Sequence, residues 1–157
     1  MRTWLALFLL IAALPLAAEP DFQTLIEMKD RGASTYYVDV YMTGAGMQQF
    51  LVDTGSSYTT INENTLAELL ASDQAEYLRD LEGVLADGSK QVLPVYMIKS
   101  LSIGSSCGLG AVQVVVFPGD TRNILGLNAL RDAAPFIFSV DPPTLALSNC
   151  QPGQGEV

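Results

Sequence analysis

A mostly-β domain is what this sequence predicts, and three observations carry the prediction. From Tyr36 onward, short runs rich in β-branched and aromatic residues alternate with glycine-bearing breaks. Asp87-Gly88 lies between two such runs, and this dipeptide supplies the positive φ angles that a tight hairpin turn needs. Clear helical spacing of apolar residues is confined to short stretches. With 157 residues, 49% of them apolar, the chain suits one globular domain with a core of its own.

The elements follow in order. "MRTWLALFLLIAALPLAAEP" places Arg2 ahead of an unbroken apolar stretch from Trp4 to Ala18, the order of a secretory signal peptide. A spanning helix needs about 20 apolar residues, so residues 1–18 read as a cleaved signal, with a retained N-terminal anchor as the alternative. No cysteine lies near the cut to carry a lipid. Residues 19–34 read as a linker or arm, residues 35–149 as the folded domain, and residues 150–157, which have no apolar face, as a disordered tail. Within the domain, "YYVDVYM" and "MQQFLV" form a hairpin about "TGAG". "YTTI" is a strand, and "NENTLAELLAS" is a short helix capped by Asn62, with Leu66, Leu69 and Leu70 on one face. Asp73 to Leu81 fits neither template cleanly. "LEGVLADGSKQVLPVYMIKSLSI" is a second hairpin, whose Pro94 marks an edge or bulge. "AVQVVVF" is an apolar strand, "NILGLNAL" a strand meeting glycine and then a brief helix, and "FIFSV" with "TLALS" a last pair about Asp141-Pro142-Pro143.

Composition excludes several functions. Removing residues 1–18 takes away Arg2 and no acid, so the net charge of −9 becomes −10, and nothing is left to neutralise phosphates in number. Nucleic acid is therefore not an expected partner. Histidine is absent, which removes the base of Ser-His-Asp and Cys-His systems and the ligands of His-Glu-x-x-His zinc sites. A Ser-x-x-Lys dyad fails too, because Lys29, Lys90 and Lys99 follow Ile26, Asp87 and Tyr96 at that spacing. No metal or other cofactor is expected, and an enzyme built from these residues would draw its acid and base from carboxyl groups. Cys107 and Cys150 are an even pair in the exported part and read as one disulfide; two unpaired thiols are the alternative, since sequence does not give their separation.

"FLVDTGSSYTTIN" carries the chemistry. Phe50-Leu51-Val52 delivers the carboxylate of Asp53 at the end of an apolar strand, an environment suited to acid–base work, and Ser56 is placed to donate to that carboxylate. A bare Asp-Thr-Gly could also be a surface turn. Its frame is more specific: "FLVDTGSS", the "ADGS" hairpin and "NILGLNAL" together resemble the retropepsin-like single-domain aspartic proteases of bacteria, over roughly Tyr36 to Leu147.

That resemblance implies a closed, mostly-β retropepsin-like barrel with one or two short helices. It makes Asp53 the catalytic residue. Thr54 would lock the loop by bonding across to a partner's loop, and Gly55 would let the backbone approach closely. Ala86, Asp87, Gly88 and Ser89 would belong to a flap over bound peptide that runs from Leu85 to Lys90, with Asp87-Gly88 at its tip. Ile124, Leu125 and Gly126 would pack beneath the Asp53 loop. Ser56 is a departure, since viral members usually have alanine there.

The reaction needs two carboxyl groups sharing a proton, and this sequence supplies one. Asp87-Gly88-Ser89 and Asp120-Thr121-Arg122 lack both the glycine after the hydroxyl residue and the preceding apolar strand. The second carboxyl must come from another copy across a two-fold axis, so the expectation is a symmetric homodimer acting on a peptide or protein substrate in the periplasm or outside the cell. The competing function is a peptide-binding or scaffold module of the same fold, with Asp53 as a structural acceptor.

Overall fold

The computed structural model describes residues 21–153, so the signal-peptide reading of residues 1–18 lies outside the described residues, as does the end of the tail from 154. The elements are β1 (Thr24–Glu27), β2 (Lys29–Asp30), β3 (Tyr36–Met42), β4 (Gly46–Val52), β5 (Thr59–Asn62), α1 (Glu63–Ala71), β6 (Ala75–Val84), β7 (Lys90–Ile103), β8 (Cys107–Phe117), β9 (Asn123–Leu125), α2 (Leu127–Asp132), β10 (Phe136–Val140), β11 (Pro143–Leu147) and β12 (Gln151–Pro152).

Six strands close into a barrel in the order β8, β5, β9, β4, β3, β7, with β7 pairing back onto β8. The expected mostly-β barrel with two short helices is thus the observed fold. Closure leaves no edge among those six strands. Strand β6 hangs from β7, and β12 from β8. The interior comes from alternation: on β3 the side chains of Val38, Val40 and Met42 point inward and are fully buried. Phe50 on β4, Ile61 on β5, Ile98 on β7 and Leu125 on β9 meet them in one core. Burying a side chain of this size stabilises the fold by roughly 2 kcal/mol.

A separate three-stranded sheet, ordered β1, β11, β10, is built from the two ends of the described chain. Ile26 faces Leu145 and Phe138 across it, and Ile26 and Leu145 join the main core. The segment expected as a linker or arm therefore contributes a paired strand. Four residues are too few for their alternation to be read.

Three further expectations change. Asn62 caps α1 as expected, its side-chain oxygen accepting from Thr65 N at 2.8 Å, but only Leu66 and Leu69 face inward while Leu70 is about half exposed. The ambiguous stretch after Asp73 is the start of β6, an arm mostly exposed on both faces, which erases period-two alternation. The tail does not begin at 150. Cys150 is bonded to Cys107, and Gln151–Pro152 pairs with β8, because the disulfide holds that backbone beside the strand.

Candidate active site

Strand β4 ends at Val52 and hands Asp53 to a loop whose backbone is fixed by β9. The two strands run parallel, Phe50 beside Asn123 and Val52 beside Leu125, and Asp53 N donates to Leu125 O at 3.1 Å. Strand β9 also meets β5 on its other side, at Thr60 beside Ile124. A loop leaving β4 and returning as β5 therefore straddles β9.

Asp53 is half-buried, and its Oδ1 accepts from Gly55 N at 2.8 Å, a local turn closed by the carboxylate itself. Among the described residues no hydrogen bond reaches its second oxygen, Oδ2. Thr54 and Gly55 are exposed in the single copy, and the Thr54 hydroxyl has no partner among the described residues. Ser56 does not bond to the carboxylate as its proximity suggested. Its hydroxyl donates to Tyr58 O at 2.7 Å, because the chain turns away from Asp53 at that point. Ser56 thus braces the loop instead of tuning the acid.

Gly126 lies where the resemblance put it, and the reason is steric. A Cβ there would collide with the Tyr58 carbonyl and lie 2.7 Å from Thr59 N, backbone atoms that cannot rotate away. That close approach lets Gly126 N donate to Thr59 Oγ1 at 3.2 Å and Leu127 N to Ser56 O at 2.8 Å. Ile124 and Leu125 pair alongside β4, with Leu125 fully buried. The Asp53–Ser56 group and the Ile124–Gly126 group are therefore brought together.

One residue of this assembly had no signal in the sequence reading. Asn128, at the start of α2, accepts from Thr59 N at 2.7 Å and from Thr59 Oγ1 at 2.9 Å through Oδ1, and donates to Gln113 O at 2.7 Å. A lone asparagine inside "LGLNAL" was the available clue, since a polar residue in an apolar run needs a partner.

Across from this loop stands the β6–β7 hairpin. Gly88 has φ of +83°, as the tight turn requires, and Asp87 Oδ1 accepts from Ser89 N at 2.9 Å and Ser89 Oγ at 2.6 Å. The Ser89 hydroxyl and then its backbone N–H hold the Asp87 carboxyl below its ordinary value. Between hairpin and loop lies a groove of about 320 Å³. Ser56 to Tyr58 form one wall, Leu81 to Leu85 the other, and Leu93, Val115 and Phe117 the floor. The arms of the hairpin line it, whereas Ala86, Asp87, Gly88 and Ser89 at the tip do not. Val84 and Leu85 belong to the lining and Val92 does not; both valines are largely exposed. Gly55, whose N–H bonds the Asp53 carboxylate, belongs to the lining. The lining is mainly apolar, with the carboxyl group of Glu82 in the hairpin wall; Asp53 lies next to the lining residues without being one of them. No three acidic or cysteine side chains stand together among the described residues to form a cation cage.

A closed barrel with an Asp-Thr-Gly loop braced over an apolar-glycine strand, facing a hairpin across a groove, defines the retropepsin-like aspartic protease fold. The chain belongs to the family described as "gag-polyprotein putative aspartyl protease", whose model matches residues 38–132. Two solved structures share the fold. A retropepsin-like aspartic protease from Rickettsia conorii superposes with a TM-score of 0.58 at 21% identity, over 82% of this chain and 92% of that one. The retroviral protease-like domain of Ddi1 from Leishmania major superposes with a TM-score of 0.53 at 16% identity, over 78% of this chain and 94% of that one. No curated protein matches the chain significantly.

Proposed function

We propose that the protein is an exported aspartic endopeptidase, active as a homodimer, that hydrolyses peptide bonds with a water activated between two Asp53 carboxyl groups, one from each subunit. The observation that carries this reading is the placement of Asp53. Its backbone is tied to Leu125 and its Oδ1 to the N–H of Gly55, which itself lines the groove, while Oδ2 accepts no hydrogen bond among the described residues.

Two like charges about 3 Å apart cannot both ionise, so the pair would hold one proton between them. The ionised carboxylate takes a proton from water as the water oxygen bonds to the peptide carbonyl carbon, and the protonated one gives its proton to the carbonyl oxygen. Collapse of the tetrahedral species breaks the C–N bond and passes a proton to the leaving nitrogen, giving an acid and an amine. The gain over free carboxylates is positional, since the braced loop fixes where the acid stands.

A two-fold partner is supported by the solitary triplet and by the terminal sheet. Strands β1 and β10 are its edges, and on the outward face Leu25, 66% exposed, lines up with Ala146 and with Ile137, 49% exposed. Unpaired edges beside apolar side chains are what an isologous interface covers. Export is supported by the N-terminal sequence and by the Cys107–Cys150 bond, which suggests a non-cytoplasmic environment. No helix among the described residues is long and apolar enough to cross a membrane.

Asp53→Asn tests the reading: peptide cleavage should fall by about 1,000-fold or more while the melting temperature is unchanged. Cleavage retained by that variant would remove Asp53 from the chemistry. A well-folded unmodified dimer that binds peptides yet cleaves none from acidic to neutral pH would favour the scaffold function instead.

A further inference from the structure

Beside the groove lies a second hollow of about 310 Å³, lined by Met97, Ala111, Val112, Gln113, Asn128 and Asp132, and by Tyr58. Tyr58 is the one residue common to both linings, so its side chain stands as the partition between them. Tyr58 packs on the Leu93, Val95 and Val115 cluster, of which Leu93 and Val115 reach the groove floor. Its hydroxyl is held from outside the loop: Arg79 Nη2 donates to Tyr58 Oη at 3.3 Å, while Arg79 Nη1 donates to Gln113 Oε1 at 3.1 Å. Arg79 follows a register shift in β6, where the pairing with β7 slips between Tyr77 and Arg79. A bulge of this kind re-aims the next side chain, here across β7 toward β8 and the Asp53 loop. The fork of the guanidinium then bonds two elements at once, which a lysine cannot reproduce.

We infer that Arg79 is a latch that positions Tyr58, and that the latched ring sets the length of the apolar subsite in the groove. With Tyr58 held, the slot ends at its ring and suits side chains of the valine and leucine class. With the latch removed, the ring can swing and the slot runs on toward the neighbouring hollow, admitting aromatic side chains. Arg79 touches no substrate in this scheme; it acts through Tyr58. The inference rests on the proposed peptide-processing function only in taking the groove as a peptide subsite, and it holds for a peptide binder as well as for a protease.

The experiment measures dissociation constants by calorimetry for a set of statine-containing peptides carrying valine, leucine, phenylalanine or tryptophan at each flanking position, with cleavage of the matching ordinary peptides followed in parallel. The proteins are the unmodified dimer, Arg79→Met, Arg79→Lys, Tyr58→Phe and the Met/Phe double variant. At one position, Arg79→Met and Tyr58→Phe should each move the tryptophan-to-valine preference by about tenfold toward tryptophan. The double variant should match the singles, since both remove one interaction, and Arg79→Lys should fall between. Preferences that do not move, or shifts that add in the double variant, overturn the latch, whether or not the protein cleaves. A shifted binding preference without any cleavage keeps the latch and removes the protease function. An unmodified protein that binds none of the peptides overturns both.

Discussion

The Asp53 loop and the β6–β7 hairpin face each other across one groove, yet they are held by opposite means. Besides the bonds within it, the loop and the start of β5 are tied to other elements: Asp53 to Leu125, Ser56 to Leu127, Thr59 to Gly126 and Asn128. The hairpin tip bonds only within itself, Leu85 N to Ser89 O, Gly88 N to Leu85 O and Ser89 to Asp87. A group that must stand within a fraction of an ångström of a reacting atom belongs on the over-determined side. One side of the groove is thus tied to several elements of the barrel, whereas the hairpin on the other side ends in a tip closed on itself.

A pair of glycine substitutions gives the sharpest contrast. Gly126→Ala should destabilise the protein by about 3 kcal/mol or more in urea unfolding, because the new methyl group meets the backbone of Tyr58 and Thr59. Gly88→Ala meets nothing within 4 Å and should cost only about 1 kcal/mol, the penalty of a positive φ. Equal costs at the two sites would break the distinction between a braced loop and a self-contained tip.

Removing the reach from α2 to the loop should have an intermediate effect. Asn128→Ala leaves Thr59 N–H and its hydroxyl without their shared acceptor, at a cost of about 2 kcal/mol. If the loop positions the acid, kcat should fall more than KM rises. A KM effect alone would mean that Asn128 shapes the groove and not the acid.

The smallest effect belongs to the tip. Because Asp87 has a lowered carboxyl pKa in the folded hairpin, its contribution is fully present above the ordinary aspartate value and is lost as pH falls through the lower folded one. Carboxyl-carbon titration by nuclear magnetic resonance should show Asp87 below the usual range, and Ser89→Ala should bring it back toward that range. An Asp87 that titrates identically in both would show that the turn is not closed by this bond.

What could be read in advance differs between these regions for the same reason that their bonding differs. The tip was legible because Asp87-Gly88 is a local code, and so was α1, whose Asn62 cap reaches only to Thr65. Asp53 stood out because an apolar strand ending on Asp-Thr-Gly is also local. The roles of Asn128 and Arg79 are not legible, since the Thr59 donor that Asn128 accepts from and the Tyr58 acceptor of Arg79 lie 69 and 21 residues away, and the sequence around each does not say which residue will meet it. Strand β6 was obscured because Tyr77, Leu78 and Leu81 fall at helical spacing on an arm whose two faces are both largely exposed. Strand β1 was too short to show a period. The hydroxyl of Ser56 bonds to Tyr58 O and not to the Asp53 carboxylate, because proximity in sequence does not fix where a hydroxyl points.

The central claim is that one chain holds half of a catalytic pair. Subunit mixing tests it most directly: unmodified protein is allowed to exchange with a roughly fourfold excess of Asp53→Asn protein, and peptide cleavage per unmodified subunit is followed. With each site shared across a two-fold axis, activity should drop to about one fifth, the share of unmodified subunits still paired with each other. Activity that stays constant as the inactive subunit is added would show that each chain carries a complete site, and would contradict the account.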